Sequence, residues 1–159
     1  MTATHNVAQI IRNSISAPFI ELHQSLPSRA SAISSFVDDL MRFIRFFMEK
    51  GGTTKSAEEG IEIAIYEALA NAVIHGNHEN HAKQVHVACR CSMNGEVLIS
   101  VRDEGEGFDS RVVPDPTEAQ ILLVPRVRGI DLMKALMDEV SFEENGTVVR
   151  MRKRMKAQN

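Results

Sequence analysis

Three polar side chains stand four residues apart in a stretch otherwise rich in alanine and aliphatic residues: Glu67, Asn71 and His75. The apolar residues around them recur at three- and four-residue spacing, which predicts a helix with one buried face, formed by Ile61, Ala64, Ile65, Ala68, Leu69 and Ala72. The three polar side chains then form a second stripe. There a carboxylate could accept a proton and an amide oxygen could hold Mg2+, whose other ligands are phosphates and water. Taken alone, the stretch is explained at least as well by an ordinary amphipathic helix.

A second acidic position lies where a predicted strand ends. Alternating apolar residues predict two strands joined at Asn94-Gly95, a strong hairpin signal. Asp103 continues the inward phase of the second strand, and a buried carboxylate needs a hydrogen-bond donor, such as the amino group of adenine. Gly105 and Gly107 follow, and glycines let a backbone turn sharply and approach a ligand. A plain turn remains an alternative for this D-x-G-x-G segment.

Two arginines, Arg126 and Arg128, precede Gly129 at the predicted start of another helix. Guanidinium groups and the free N–H groups of a helix N-terminus together form a site for a phosphate chain. The preceding residues, 108–128, contain three prolines and a short helical segment over 117–124, and so long an excursion is interpreted as a lid. Basic residues in a solvated loop are the alternative.

The remaining periodicities predict the elements that must position these residues. In chain order they are a strand over 19–26, a helix over 28–51, a helix over 56–76, strands over 84–93 and 97–103, a helix from 128, and strands at 140–142 and 147–151. Ser28 is predicted to cap the first helix, and Ser56 to open the second with a capping box. Phe43 and Phe46 fall outside the first helix's apolar stripe, which indicates a second buried surface, either a further layer or a partner protein.

The overall composition favours one ordinary globular domain. The chain has 159 residues, of which 43% are hydrophobic and 25% charged. A net charge of -3 gives no general reason to bind nucleic acid or an anionic membrane. Residues 1–17 lack a clear period and are interpreted as an N-terminal arm. A cytoplasmic protein is expected, because no signal-peptide pattern and no membrane-spanning apolar run is found.

Two cysteines and three histidines are candidate metal ligands. Cys89 and Cys91 lie two apart in one predicted strand, so they are interpreted as buried thiols on the same face. His75, His78 and His81 are evenly spaced, but their spacing fixes no common face beyond the predicted helix end. A metal site at these histidines is therefore not favoured.

Four motifs occur in a specific order: E-x-x-x-N-A-x-x-H-G at 67–76, D-x-G-x-G at 103–107, R-G-I at 128–130 and G-T at 146–147. With them the chain resembles the Bergerat-fold ATPases of the GHKL superfamily, and most of all the bacterial anti-sigma-factor serine/threonine kinases. The resemblance implies a histidine-kinase-like ATPase domain over 18–156. It also implies a two-layer α/β (α+β) sandwich in which helices cover one face of a mixed, mostly antiparallel sheet.

The resemblance implies that ATP and Mg2+ bind between the Asn71 helix and the lid. Asn71 would be the Mg2+ ligand, and Glu67 would be the general base toward a protein serine. Arg128 and Gly129 would lie at the phosphates.

At the other end of the nucleotide, the resemblance gives Asp103 the role of reading the adenine amino group, with Thr147 near the base. Gly105 and Gly107 would shape this part of the pocket.

The function implied is that of a switch kinase. It would phosphorylate a serine on a small antagonist protein of the STAS type and, when free of it, sequester a sigma factor. A homodimer is expected, with the first helix and its residues Phe43 and Phe46 as candidate contacts.

One departure from the family pattern keeps an alternative open. The lid usually has a further glycine before the Arg-Gly pair, where this chain has Pro125-Arg126-Val127. The main alternative is therefore a module of the same fold, with or without nucleotide, that acts only through protein contacts. A histidine-kinase catalytic domain and the ATPase half of a larger machine are weaker, because 159 residues leave no room for their additional segments.

Overall fold

A computed structural model describes residues 19–93, 95–108 and 125–154 of the chain. In this part of the chain, five strands form one sheet with the order β1-β2-β3-β5-β4, and all four pairings are antiparallel. The strands are β1 Phe19–Pro27, β2 Gln84–Ser92, β3 Glu96–Arg102, β4 Glu139–Glu143 and β5 Val148–Arg154. The helices are α1 Ile33–Gly51, α2 Lys55–Ala70 and α3 Pro125–Leu136.

One face of the sheet packs against the helices. The alternation puts Val87 opposite Val101 and Val101 opposite Val149, all of them buried. The intervening side chains, on the other face, form ion pairs such as Arg90 with Glu21. The core comprises Ile20, Leu22, Val85, Val87, Cys89, Cys91, Val97, Ile99, Val101, Val149 and Met151 from the sheet and, among others, Leu40, Ile44, Phe47, Ile61, Ile65, Leu69, Ile130 and Met133 from the helices. The predicted two-layer α/β sandwich is thus confirmed.

The predicted helix starts are wrong. Ser28 is buried and does not cap a helix; a 3-10 turn, Ala30–Ala32, leads into α1. The α2 helix is capped by Thr54, whose Oγ1 accepts a hydrogen bond from the backbone of Ala57 at 3.2 Å. Thr54 and Ser56 both suit the capping role at α2, and Thr54 takes it, whereas α1 begins without a side-chain cap. The α3 helix extends back to Pro125, a residue suited to a first helical turn.

Phe43 is part of the protein's own core, so its prediction as a possible partner contact is wrong. It is 1% exposed, and its ring packs edge-on against Phe47 at 5.1 Å. Phe46 remains 41% exposed. The α1 helix is covered by the sheet on one side and by α2 on another, so its buried surface is wider than one stripe.

The α2 helix changes pitch at Asn71. Residues Asn71–Gly76 continue it as a π-helix, and the backbone N–H of Asn77 donates to the carbonyl of Ala72 at 2.8 Å. Such π turns are uncommon and occur frequently at functional sites. The predicted helix end at Gly76-Asn77 is confirmed.

Several predicted features fall outside the described residues: the arm over 1–17, Asn94 of the hairpin, and residues 109–124 of the predicted lid, with its helical segment over 117–124. Within the described residues, no helix has the length and apolarity needed to cross a membrane.

Candidate nucleotide site

A small cavity lies between α2, α3 and the ends of strands β3 and β5. Its volume is about 20 Å3, which is room for about one water molecule. Four polar residues line it: Asn71, Asp103, Arg126 and Thr147. Its apolar walls are Ala68, Ala72, Val101, Phe108, Met133, Phe142 and Val149. Residues from three of the four sequence motifs, Asn71, Asp103 and Gly146-Thr147, thus meet in one place.

A larger groove of about 300 Å3 lies on the open face of the sheet. Its charged side chains, such as Glu21 with Arg90 and Arg152 with Glu139, already pair with one another. It contains none of the motif residues, so the smaller cavity is the better candidate site.

The phosphate-side residues meet where α2 and α3 approach each other. A Cβ atom added to Gly129 would lie 2.7 Å from Oε2 of Glu67 and 3.4 Å from Nδ2 of Asn71. Glycine therefore allows α3 to come this close to both side chains. Among the described residues, no hydrogen-bond partner is found for the buried Nδ2 of Asn71. A buried amide nitrogen without a partner is unusual in a native structure, and this one could donate to a ligand.

Asp103 is 8% exposed and also lines the cavity. Its Oδ1 accepts a hydrogen bond from the backbone N–H of Gly105 at 2.8 Å. Burial raises the pKa of this carboxyl group, and the Gly105 N–H and the charge of Arg126 partly oppose that effect. Gly76 packs against the carboxylate, since a Cβ atom there would lie 2.4 Å from Cγ of Asp103.

The glycines of the D-x-G-x-G motif approach the protein's own backbone. A Cβ atom on Gly105 would lie 2.1 Å from the carbonyl oxygen of Gly76. Gly107 has a φ of +84°, and a Cβ atom there would lie 2.1 Å from the carbonyl oxygen of Asn145. Neither glycine lines the cavity. Their close packing instead holds Asp103 and Phe108, which do line it.

Thr147 and Arg128 differ in how close they come to the cavity. Thr147 lines it, its Oγ1 donates to the carbonyl of Glu144 at 2.8 Å, and its own carbonyl accepts from the N–H of Asp103 at 2.9 Å. Arg128 is exposed on the first turn of α3 and does not line the cavity. Its neighbour Arg126, which the sequence also suggested for phosphates, lies in the cavity wall.

Sequence reasoning missed Phe108. Its ring packs edge-on against Phe142 at 5.5 Å, and Cζ of Arg126 lies 3.7 Å from its centroid. Burial lowers the pKa of Arg126, and the charge of Asp103 opposes this shift. The only signal for Phe108 was its position directly after the D-x-G-x-G motif.

Sequence reasoning also missed Asn77 as more than a helix stop. It is fully buried, and its Nδ2 donates to Oγ of Ser28 at 2.7 Å and to the carbonyl of Gln84 at 2.9 Å. Its Oδ1 accepts from the backbone N–H of Glu104 at 2.8 Å. Asn77 therefore joins the entry to α1, the start of β2 and the loop that carries Asp103.

The candidate metal ligands of the sequence do not converge. Cys89 and Cys91 are buried, with their sulfur atoms 4.0 Å apart, as predicted for buried thiols. The pKa of Cys89 is raised by its hydrogen bond to Cys91 and by burial. Burial, followed by the charges of Arg126 and His78, lowers the pKa of His75. Across residues 19–93, 95–108 and 125–154, no group of three His, Cys, Asp or Glu side chains could hold a metal.

Known proteins resemble this chain over most of its length. The family described as the histidine kinase-like ATPase domain matches residues 31–153. An anti-sigma F factor from Heyndrickxia coagulans is 32% identical over 107 residues, covering 63% of this chain and 71% of that protein. A serine-protein kinase RsbW from Staphylococcus aureus (strain MSSA476) is 28% identical over 135 residues, covering 80% of this chain and 85% of that protein.

A solved structure supports the fold. The crystal structure of the RsbU and RsbW domains of Rv1364c from Mycobacterium tuberculosis superposes with a TM-score of 0.59 at 22% identity. The match covers 85% of this chain and 32% of that longer chain. With the four motifs, the sandwich and the extent of the family match, the chain belongs to the histidine kinase-like ATPase domain family.

Proposed function

We propose that the protein is an ATP-dependent serine kinase and anti-sigma factor, and that its nucleotide site is the cavity between α2 and α3. The observation that carries the proposal is the meeting of Asn71 and Asp103 on one cavity, with the amide nitrogen of Asn71 lacking a partner among the described residues. The names of the relatives, an anti-sigma F factor and a serine-protein kinase, support both halves of the proposal.

The donor set fits Mg2+ and an adenine nucleotide. Mg2+ prefers a few protein oxygens together with phosphates and waters, and Oδ1 of Asn71 offers one such oxygen where α2 and α3 approach each other. Asp103 offers an acceptor to an exocyclic amino group, and Thr147 lies beside it. The N-terminal turn of α3, Pro125 to Arg128, offers N–H groups and a positive charge to phosphates, and Gly129 follows directly after it.

In the proposed reaction, Glu67 accepts the proton of a serine hydroxyl on the substrate protein. The serine oxygen forms a bond to the γ-phosphorus as the bond from that phosphorus to the bridging oxygen breaks, and ADP leaves. Bound Mg2+ would neutralise charge on the phosphates. The contribution of the chain is then mainly positioning and charge stabilisation, as in other phosphoryl transfers.

The proposed partners follow from the family resemblance. The phosphorylated protein would be an antagonist of the STAS type, and the protein sequestered in its absence would be a sigma factor. We also propose a homodimer, for which Phe46 on α1 remains a candidate contact at 41% exposure.

Titration calorimetry with ATP, with and without Mg2+, followed by radiolabel transfer to a STAS-domain protein, tests this function. We expect Mg2+-dependent binding, and in Glu67→Gln retained binding with transfer reduced about 100-fold or more. Glu62→Gln, also on α2 but paired with Arg45 outside the cavity, is the matched control. Intact transfer in Glu67→Gln would refute the role of Glu67 as base.

A second candidate is the same fold acting only through protein contacts. It is favoured by Pro125-Arg126-Val127 in place of the usual lid glycine and by a cavity of only about 20 Å3. A flat ATP titration trace, together with retained sigma-factor binding, would select this candidate.

A further inference from the structure

Two side chains of the cavity wall, Phe108 and Arg126, contact each other. The ring of Phe108 is held in place by two neighbours. Phe142 packs edge-on against it at 5.5 Å, and a Cβ atom on Gly146 would lie 2.7 Å from its Cδ1. The guanidinium of Arg126 covers this ring, with Cζ 3.7 Å from the centroid. A flat cation thus stacks on an aromatic platform, in the same cavity as Asp103.

The position of Arg126 differs from that of an ordinary structural arginine. Its Nε is buried, and the described residues provide no hydrogen-bond partner for it. By contrast, Arg45 contacts Glu58, and Arg150 donates to Glu143 at 2.8 Å. A buried donor without an acceptor is unfavourable. Among the described residues, the side chain is held by stacking on Phe108 and by the charge of Asp103.

An adenine base needs a flat space beside an acceptor. In this cavity Phe108, Asp103 and Thr147 are the residues that could receive a base, and the guanidinium of Arg126 covers the ring of Phe108. The remaining volume of about 20 Å3 holds a water molecule and excludes a base. Base and guanidinium cannot be in this place together.

We propose that Arg126 is a displaceable plug of the adenine pocket, which an adenine nucleotide must push off Phe108 before its base can reach Asp103. This inference rests on the proposed function, because it assumes that the cavity is the nucleotide site. It makes Arg126 a residue that sets nucleotide affinity by competing with the base.

Competition of this kind has a measurable size. If only the fraction of molecules with Arg126 displaced can bind, the apparent dissociation constant is the intrinsic one divided by that fraction. A partly buried cation–π contact changes an equilibrium by roughly 3- to 30-fold. Removing the guanidinium should tighten binding by about the same factor.

Adenosine is the cleanest probe, because it has no phosphate that a displaced arginine could bind. We expect Arg126→Ala to bind adenosine about 3- to 30-fold more tightly than the wild type in a calorimetric titration, and Arg126→Gln to shift in the same direction. Arg42→Ala, which removes the same charge from an exposed site on α1, is the control and should bind as the wild type does. Circular dichroism melts of all variants verify folding.

The outcomes separate the plug from the proposed function. If both Arg126 variants bind adenosine no more tightly than the wild type while the wild type binds Mg2+-ATP, the plug is refuted and the nucleotide site stands. Weaker Mg2+-ATP binding with unchanged adenosine binding would make Arg126 a phosphate ligand, which also refutes the plug. If neither the wild type nor the Arg126 variants bind adenosine or Mg2+-ATP, both proposals fail.

Discussion

Two asparagines on one helical segment have opposite surroundings. Asn77 is fully buried, and its side-chain amide makes hydrogen bonds to Ser28, Gln84 and Glu104. Asn71, at the other end of the π turn, has a buried amide nitrogen for which the described residues offer no partner. The same residue type is therefore fully bonded at a junction of the fold and incompletely bonded at the candidate site.

This difference separates a residue that stabilises the fold from one that is suited to a ligand. Each satisfied hydrogen bond adds about 1 kcal/mol to stability, whereas a buried polar atom without a partner costs about 1–3 kcal/mol. A protein retains such a cost where a ligand can supply the partner. Asn77 also holds the backbone of Glu104, directly after Asp103, so the bonded junction keeps the candidate site in shape.

The largest expected effect is at the bonded asparagine. Asn77→Ala leaves Oγ of Ser28, the carbonyl of Gln84 and the N–H of Glu104 without their partner, which should lower the free energy of unfolding by about 3–4 kcal/mol. Urea unfolding measures this loss. Asn80→Ala, an exposed control that loses one local bond to Ala82, should cost less than about 1 kcal/mol. If Asn77→Ala also lost less than about 1 kcal/mol, Asn77 would not differ from Asn71 in its contribution to stability.

Asn71→Ala should have the reverse profile. It removes no hydrogen bond of Nδ2 within the described residues, so the free energy of unfolding should change by less than about 1 kcal/mol. Loss of the proposed Mg2+ ligand should weaken Mg2+-ATP binding about 100-fold. Calorimetry with and without Mg2+ measures this, and Asn71→Asp, which keeps an oxygen, should lose less. If Asn71→Ala lowered the free energy of unfolding as much as Asn77→Ala does, both asparagines would be stabilising the fold.

Sequence patterns made Asn71 a candidate site residue but did not indicate the structural role of Asn77, for a physical reason. Asn71 belongs to a local spacing and to an ordered set of motifs, both of which are readable along the chain. The partners of Asn77 come from Ser28, Gln84 and Glu104, which only the folded chain brings together. The alternation of strands and the main helices were likewise predictable, because burial imposes a period on the sequence.

The same limit explains what was wrong about Ser28 and Phe43, and what was missed about Arg126. A serine before a helix can cap it or be buried, and local sequence does not distinguish the two outcomes. Phe43 is buried by two other elements, which its own helix cannot predict. The basic pair Arg126 and Arg128 suggested phosphates, whereas the structure stacks Arg126 on Phe108.

Gly76→Ala tests how tightly the junction supports Asp103. The added Cβ would lie 2.4 Å from Cγ of the buried carboxylate, which Gly105 holds by a hydrogen bond. Neither group can move freely, so overpacking should lower the free energy of unfolding by about 2 kcal/mol. Urea unfolding measures it. Stability equal to that of the wild type would mean that Asp103 is free to shift.

Gly129→Ala is the same kind of substitution, a glycine replaced by alanine, beside Asn71 and its unpartnered amide nitrogen. Its Cβ would lie 2.7 Å from Oε2 of Glu67, the end of a flexible side chain that can move aside. The gain of about 1 kcal/mol in helix propensity offsets the strain, so stability should be nearly unchanged. Displacement of Glu67 should reduce phosphoryl transfer about 10-fold in the radiolabel assay. A large loss of stability with normal phosphoryl transfer would contradict the assignment of the Asn71 region to ligand binding and of the Asn77 region to stability.

The smallest effect is a pH dependence at Asp103. Burial raises its pKa in the folded protein, so the folded state holds this proton more strongly than the unfolded chain does. Its contribution to stability is full below the unfolded pKa and is lost as the pH rises through the raised folded pKa.

Asp103→Asn removes the charge but keeps an oxygen acceptor for the N–H of Gly105. Around neutral pH, we therefore expect the variant to be slightly more stable than the wild type in urea. This advantage should shrink as the pH falls toward about 4, near the ordinary pKa of Asp. The N–H of Gly105 and the positive charges of Arg126, Lys83 and His78 limit its size. If the stability difference between Asp103→Asn and the wild type did not change with pH, the neighbours of Asp103 would already stabilise its carboxylate fully, as the partners of Asn77 stabilise that side chain. The folded protein would then pay no free energy to bury the carboxylate that a ligand could recover.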